Sequence, residues 1–323
     1  MLITVHKFGG GVLNQPASLK QLLKIVNNFN PNIIVVSAFG KTTNALKDLA
    51  EGYITGDRNM MDNALHIVYD IHSSMINSFS PSSHKKYVTT WDELMDFIST
   101  TKDIIKEKSF CNSIEIMRDS FMVVGEILSS SVVSSYLDKN SFKNYIVMAT
   151  EFIKTDMNFG SANILRDLSL KYFKNSSVLD FLSNNVPIVT QGFIGATSMS
   201  TSMDLFEVSF KGCTTIGREG SDLSAAFIAN LAVQSAIDVK EVVLWKDVWG
   251  VANQNPRNEI VGKLSYYKKM SYSDLDSAIQ KGGFAEGLVH SKVIKELQEF
   301  GIPLRIKNFW RPDLPGTLIS ASS

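Results

Sequence analysis

Short runs of apolar residues recur along the chain, and stretches with apolar side chains every three or four positions separate them. Leu19, Leu22 and Val26 share one face of a helix that we expect Ser18 to cap. The apolar runs have the composition of buried strands and cover residues 2–6, 33–36, 145–149, 187–191, 241–245 and 302–306. Helices are expected at 162–173, at 272–281 and at 291–300. A further helix is expected to continue beyond residue 226 through residue 231. This alternation predicts an α/β fold with a mostly parallel sheet of about eight strands and right-handed crossovers.

Glycines follow the first predicted strand directly. Lys7 stands where that strand ends, and Gly9, Gly10 and Gly11 come next. Consecutive glycines let backbone N–H groups converge on an anion, as phosphate-binding loops do. The turn therefore indicates an anion site with a lysine beside it.

A second glycine-rich turn, IGREGSDLSAA at 216–226, precedes another helix. Gly217 and Gly220 allow left-handed backbone, and Ser221 or Asp222 can cap the helix, whose free N–H groups then face the turn. Arg218 adds a planar fork that fits a carboxylate or a phosphate. An ordinary capped helix with a surface arginine is the alternative interpretation.

Residues 58–136 form the most helical third of the chain. Glu126 lies there in an apolar helix, where burying a carboxylate without a partner is costly. A solvent-facing position on that helix is the alternative. His66, His72 and His84 have no acidic or cysteine partners at metal-ligand spacing, so we expect them to be structural or surface histidines.

Composition excludes several classes. Of the 323 residues, 44% are hydrophobic and 20% charged, with 32 basic and 32 acidic side chains and no charged block. Binding to nucleic acid or to an anionic membrane therefore has no electrostatic support. Cys111 and Cys213 are too few for a disulfide framework or a zinc site, which fits a reduced, cytoplasmic setting. The N-terminus has no signal-peptide pattern, and we expect no run long enough to span a membrane.

Seven segments together resemble the catalytic domain of the aspartokinases, within the amino-acid kinase superfamily. They occur in the family's order from end to end of the chain. They are VHKFGG (5–10), VVSAFGKTTNAL (35–46), GEILSS (125–130), VPIVTQGFIGAT (186–197), TTIGREGSDLSAA (214–226), LWKDVWGVANQNPR (244–257) and GIPLRIKNFWRPDLPGTLIS (301–320). Each segment is weak evidence alone, whereas the ordered set is highly specific.

The resemblance implies a three-layer αβα sandwich of the amino-acid kinase, or carbamate kinase-like, type. Its lobes would be a substrate-binding lobe at about 1–195 and a nucleotide-binding lobe at about 211–320. The implied reaction transfers the γ-phosphoryl group of ATP, with Mg²⁺ on the phosphates, to the side-chain carboxylate of L-aspartate. The implied catalytic residues are Lys7 and Asp222. The implied substrate-binding residues are Ser37, Thr43, Glu126, Arg218 and Ser221, and the implied nucleotide-binding residues are Lys7, Phe8, Gly9, Gly10, Lys246, Asp247 and Arg257.

The chain departs from the family pattern mainly on the nucleotide side. Gly11-Val12 replaces a hydroxyl residue, Ala252 a tyrosine, Asn255 an aspartate and Gly287 a lysine. Glu219 and Lys246 also replace a common glycine and threonine. Three hypotheses follow: a working aspartokinase, a catalytically weak aspartokinase-like binding or regulatory subunit, and a kinase of this fold with another carboxylate substrate.

Regulation and assembly are expectations as well. Residues 196–210 exceed the family's usual hairpin by about ten residues and look like a flap over the site. Most aspartokinases carry ACT regulatory domains after the PGTLI motif, which falls here at 315–319. We therefore expect no ACT domain in this chain and no inhibition of it by lysine or threonine. A homodimer is also expected.

Overall fold

The computed structural model describes residues 1–79, 92, 113–197, 212–217, 219–254, 263–280 and 288–321. Its main sheet has eight strands in the order β3-β5-β2-β1-β8-β10-β11-β9, and a smaller sheet has the order β4-β6-β7. The strands are β1 Leu2–Phe8, β2 Ile33–Val36, β3 Tyr145–Ile146, β4 Lys154–Thr155, β5 Ile188–Gln191, β6 Ile194–Thr197, β7 Cys213–Thr215, β8 Asp238–Lys246, β9 Lys269–Ser271, β10 Leu304–Asn308 and β11 Thr317–Ser320.

Every pairing in the main sheet is parallel except that of β10 with β11. All four residues of β2 and of β5 are buried. Because successive side chains of a strand point to opposite faces, helices must cover both faces of these strands. This confirms the predicted α/β layers with a mostly parallel sheet.

Ten helices lie among the described residues and make up the outer layers. They are α1 Pro16–Phe29, α2 Thr42–Thr55, α3 Arg58–Asn77, α4 Ser113–Lys139, α5 Ala149–Phe152, α6 Arg166–Lys174, α7 Ser177–Ser183, α8 Gly220–Gln234, α9 Tyr272–Gln280 and α10 Ser291–Glu299. The predicted helices after residue 222, at 272 and at 291 are therefore present. The predicted flap at 196–210 lies outside the described residues, apart from its first two positions in β6.

Three local expectations are wrong. Helix α1 begins at Pro16, whose fixed φ suits a first helical position, so Ser18 lies inside the first turn and does not cap it. The strand expected at 145–149 stops at Ile146, because a short helix begins where the N–H of Ala149 donates to the side chain of Gln191. The helix expected from 162 begins at Arg166.

Helix α4 is long and apolar enough to cross a membrane over Ile114–Lys139, which the sequence analysis did not expect. In the described part of the chain it is the one helix of this kind. However, 83% of its most apolar stretch is buried inside the protein. The core helix of a globular protein has this combination of length, composition and burial, and we assign α4 that place.

The loop after β1 packs against the loop after β2. The N–H of Ser37 donates to the carbonyl of Phe8, and the N–H of Gly40 donates to those of Gly10 and Leu13. A Cβ at Gly10 would lie 2.3 Å from the carbonyl oxygen of Ala38. This close approach of two backbones requires glycine at position 10.

We expect Gly10→Ala to lower the free energy of unfolding by about 1–3 kcal/mol, the cost typical of an overpacked site. Gly11→Ala is the matched control, because a Cβ at Gly11 has no atom within 4 Å. Urea unfolding of both variants measures the difference. Equal stability of the two would contradict the packing described for the loop.

Candidate active site

A cleft of about 480 Å³ lies beyond the carboxyl ends of β1 and β2. This is where open parallel α/β sheets bind ligands. The two glycine-rich turns and helix α4 supply its walls. Its lining residues are Lys7, Gly10, Gly11, Ser37, Ala38, Gly40, Thr43, Met122, Glu126, Gly160, Phe193, Gly217, Glu219, Gly220 and Ser221. Five of the residues predicted to bind substrate or phosphate therefore share one cavity with Gly10: Lys7, Ser37, Thr43, Glu126 and Ser221.

One buried carboxylate joins the two sequence motifs. Asp222 is fully buried, and its two oxygens lie 2.5 Å from Nζ of Lys7 and 2.8 Å from Nζ of Lys246. Burial alone would raise the pKa of Asp222, but the positive charges of Lys7 and Lys246 hold it well below its ordinary range. The cluster of two ammonium groups and one carboxylate thus carries a net positive charge beside the cleft.

Helix α8 points its N-terminus at the same cleft. The cap is Glu219, in the left-handed conformation with φ 59°, at a position where the resemblance implies glycine. Ser221 and Asp222 lie in the first turn, so the prediction that one of them caps the helix is wrong. Gly220 is helical rather than left-handed, whereas Gly217 has φ 80°. The positive end of the helix dipole adds to the charge of the lysines.

Glu126 faces the cleft from α4 and is not solvent-facing, since only 2% of its surface is exposed. Its Oε1 accepts a hydrogen bond from the N–H of Ala38 at 3.3 Å. Its Oε2 is buried and has no hydrogen-bond partner among the described residues. Burial raises the pKa of Glu126 to about 8, although the Ala38 N–H and the charge of Lys7 oppose the shift. The carboxyl is therefore largely protonated at pH 7 until a cation reaches it.

A buried histidine fixes the loop that follows β2. Nδ1 of His72 donates to the carbonyl of Val68, which leaves Nε2 to accept from the hydroxyl of Ser129. The same hydroxyl accepts from the N–H of Phe39. Burial lowers the pKa of His72 to about 4, so the ring is neutral and structural, as expected. His66 is exposed on α3, and His84 lies outside the described residues.

The other predicted site residues lie in four different settings. Phe8 was predicted to contact the nucleotide, but its side chain is fully buried and stacks on Trp245, so it belongs to the core. Gly9 lies under Lys7, since a Cβ there would be 3.2 Å from Nζ. Asp247 is exposed directly after β8. Arg218 and Arg257 lie outside the described residues.

Sequence reasoning missed several residues of the cleft. Met122, Gly160 and Phe193 line it, and Asp119 lies buried behind Gly160 with a hydrogen bond to its N–H. Asp119 shows the signal that identified Glu126, a carboxylate in an apolar helix. Glycines and apolar residues such as Gly160 and Met122 carry no such signal in the sequence.

Fold and site together define a class of protein: a parallel α/β sheet whose carboxyl edge offers a lysine, glycine turns and a helix N-terminus to an anion. Residues 2–308 match the Amino acid kinase family, and the chain belongs to that family.

Its relatives include several aspartokinases. Aspartokinase 2, chloroplastic, of Arabidopsis thaliana is 29% identical over 330 residues, which cover 99% of this chain and 55% of that protein. The aspartokinase of Chlamydia muridarum is 22% identical, with coverage of 98% and 63%. This chain therefore spans about half to two thirds of the length of these relatives.

A solved structure confirms the fold. That of aspartokinase III from E. coli in complex with aspartate and ADP gives a TM-score of 0.78 at 21% identity, covering 99% of this chain and 65% of that one. The aspartate kinase of Clostridium acetobutylicum gives 0.70 at 20% identity, with coverage of 99% and 63%.

We expect the stability of Glu126→Gln to diverge from that of the wild type as pH rises. Between pH 4.5 and about 8 the folded protein keeps a proton on Glu126 that the unfolded chain has released. The wild type therefore loses up to ~1.4 kcal/mol of unfolding free energy per pH unit in that window from this group. Glutamine has no such proton, so its stability relative to the wild type should increase from pH 5 to pH 8. Parallel pH profiles in urea unfolding would contradict the buried, protonated state.

Proposed function

We propose that this chain is the catalytic part of an aspartate kinase, transferring the γ-phosphoryl group of ATP to the side-chain carboxylate of L-aspartate. The observation that carries the proposal is one cleft lined by two unlike groups. They are the buried carboxyl of Glu126 and the ammonium of Lys7, which stands among glycine backbone. The aspartokinase relatives cover nearly the whole of this chain, and the E. coli structure holds aspartate and ADP.

The Glu126 side of the cleft suits an amino acid. An ammonium group placed there would supply the partner that Oε2 lacks among the described residues. Thr43, Ser221 and the buried Ser37 offer hydroxyls to the same space. Arg218, which follows the cleft residue Gly217 in the sequence, would pair with the α-carboxylate through two parallel hydrogen bonds.

The Lys7 side suits a phosphoryl group. A carboxylate oxygen of aspartate would form the new bond to phosphorus, while the bond from phosphorus to the bridging oxygen of ADP breaks and ADP leaves with those electrons. The nucleophile is already ionised at neutral pH, so no general base is needed. Lys7 would stabilise the charge on the transferring group, and Asp222 keeps its ammonium in place. The N–H groups of Gly10 and Gly11 would add donors.

The nucleotide would extend along the carboxyl end of β8, past Lys246 and Asp247, and Arg257 would be a further contact. Mg²⁺ would supply further neutralisation of phosphate charge. The described residues contain no group of three or more His, Cys, Asp or Glu side chains that could hold a metal, and both oxygens of Asp222 are taken by lysines. These side chains therefore fit a Mg²⁺ ion that is held chiefly by the phosphates and by water.

A catalytically weak binding subunit is the second candidate, because the chain departs from the family pattern at nucleotide-binding positions. Ala252, where the family has tyrosine, is nearly buried and forms a β-bridge with Tyr266. It offers the adenine of a nucleotide neither an aromatic ring nor a hydroxyl. We propose, in addition, that the enzyme acts in the cytoplasm as a homodimer and that its product feeds lysine and threonine synthesis. An assay with ATP, Mg²⁺ and L-aspartate, in which hydroxylamine traps the acyl phosphate, tests the activity.

Lys7→Ala should lower kcat by at least 100-fold while ATP binding changes much less, because the charge that Lys7 meets is largest in the transition state. The hydroxylamine assay gives kcat, and equilibrium titration with ATP gives its affinity. Lys20→Ala, at an exposed position on α1, is the matched control. A kcat near that of the wild type would make Lys7 structural and would favour the weak-subunit candidate.

Arg218→Lys should raise the KM for aspartate by about 10- to 100-fold, since a point charge cannot reproduce two parallel hydrogen bonds to a carboxylate and such bonds contribute ~1.5–3 kcal/mol. The KM for ATP should stay within a factor of about two to three of the wild-type value. Steady-state kinetics with each substrate varied in turn measures both constants. Unchanged aspartate kinetics would refute the assignment of Arg218 to the α-carboxylate.

A further inference from the structure

A second buried carboxylate lies on α4, two helical turns before Glu126. Asp119 is 0% exposed, and among the described residues no cationic side chain forms a salt bridge with it. Its spacing from Met122 and Glu126 places the three residues on one face of the helix, and the latter two line the cleft. A buried carboxylate is costly unless its oxygens accept hydrogen bonds.

Asp119 accepts three hydrogen bonds from two chain segments, one with a donor that lines the cleft and one that leads into it. Its Oδ2 accepts from the N–H of Gly160 at 2.9 Å and from the N–H of Thr215 at 2.8 Å. Its Oδ1 accepts from the hydroxyl of Thr215 at 2.7 Å. Burial raises the pKa of Asp119, and these three donors oppose the shift. The carboxylate therefore links α4 to the loop before α6 and to the end of β7.

Both linked segments lead directly into the cleft. Gly160 lines it and has φ 83°, and Thr215 is the last residue of β7, two positions before the lining residue Gly217. The two segments also pack on each other. The N–H of Ala162 donates to the carbonyl of Thr215, and a Cβ at Gly217 would lie 3.0 Å from Oγ of Ser161. One side chain thus holds both segments at a fixed separation from the helix that carries Glu126.

We propose that Asp119 is a positioning residue for the amino-acid end of the cleft, and that it sets the space between Glu126 and the Gly160–Gly217 wall. Fixing that space selects the length of an acidic amino acid, favouring aspartate over its longer homologue glutamate. The identity of the substrate rests on the proposed function. The positioning of the wall by Asp119 does not.

The test uses four variants. Asp119→Ala removes all three acceptor contacts. Asp119→Asn is the conservative variant, because its amide oxygen can accept both N–H groups and its NH₂ can donate to the Thr215 hydroxyl. Thr215→Val removes only the hydroxyl contact and covers the case in which Asp119→Ala does not fold. Glu241→Gln breaks a partly buried ion pair with Arg305 near the opposite end of β8 and controls for a general loss of stability.

Kinetics with the hydroxylamine assay should separate positioning from stability. Asp119→Ala should raise the KM for aspartate about tenfold or more, the factor that follows from losing hydrogen bonds to a charged group. We expect kcat and the KM for ATP to change by no more than about threefold. The preference for aspartate over glutamate in kcat/KM should fall with the rise in KM. Asp119→Asn should restore most of both values, Thr215→Val should give a smaller change of the same kind, and Glu241→Gln none.

Hydrogen–deuterium exchange measures the positioning without activity. Asp119→Ala should speed exchange in peptides covering 157–162 and 213–217, and Asp119→Asn should not. If Asp119→Ala exchanges faster but even the wild type forms no acyl phosphate, the proposed function is refuted and the positioning role of Asp119 stands. Unchanged exchange at both segments, or an unchanged aspartate KM and substrate preference in an active Asp119→Ala enzyme, would overturn the inference.

Discussion

The carboxylate of Asp222 between two lysines is the interaction on which the site depends. It joins the end of β1, the first turn of α8 and the end of β8 at the carboxyl edge of the sheet. Without that carboxylate, the ammonium groups of Lys7 and Lys246 would repel each other next to the positive end of a helix. With it, the two ammonium groups and the carboxylate together carry one net positive charge beside the cleft.

Helix α4 organises the other side of the cleft in a similar way. Much of the helix is apolar and buried, but three of its buried polar side chains hold other segments. Asp119 accepts from Gly160 and Thr215, Glu126 from Ala38, and Ser129 from Phe39. A helix in the core is rigid, so the loops that it holds acquire positions that their own sequences could not maintain.

The sequence predicted much of this arrangement, and what it missed has a physical explanation. Strand and helix periodicity located the central strands, and a glycine turn after a strand marked Lys7. A carboxylate in an apolar helix marked Glu126. The N-cap residue of α8 could not be predicted from the sequence. Serine and aspartate, present at 221 and 222, are common N-cap residues, whereas a left-handed glutamate such as Glu219 is an unusual one. Phe8 matched the family pattern, yet the pattern did not indicate that its ring faces the core.

The raised pKa of Glu126 has a chemical consequence for any ligand with an ammonium group. Burial favours the neutral carboxylic acid, whereas an arriving cation stabilises the ionised form. Binding and the departure of a proton to solvent then become one thermodynamic event, so affinity weakens as the solution becomes more acidic than about pH 8. A neutral ligand of the same shape displaces no proton. The pocket can therefore distinguish an amino acid from the corresponding hydroxy acid by charge alone, independently of any difference in size.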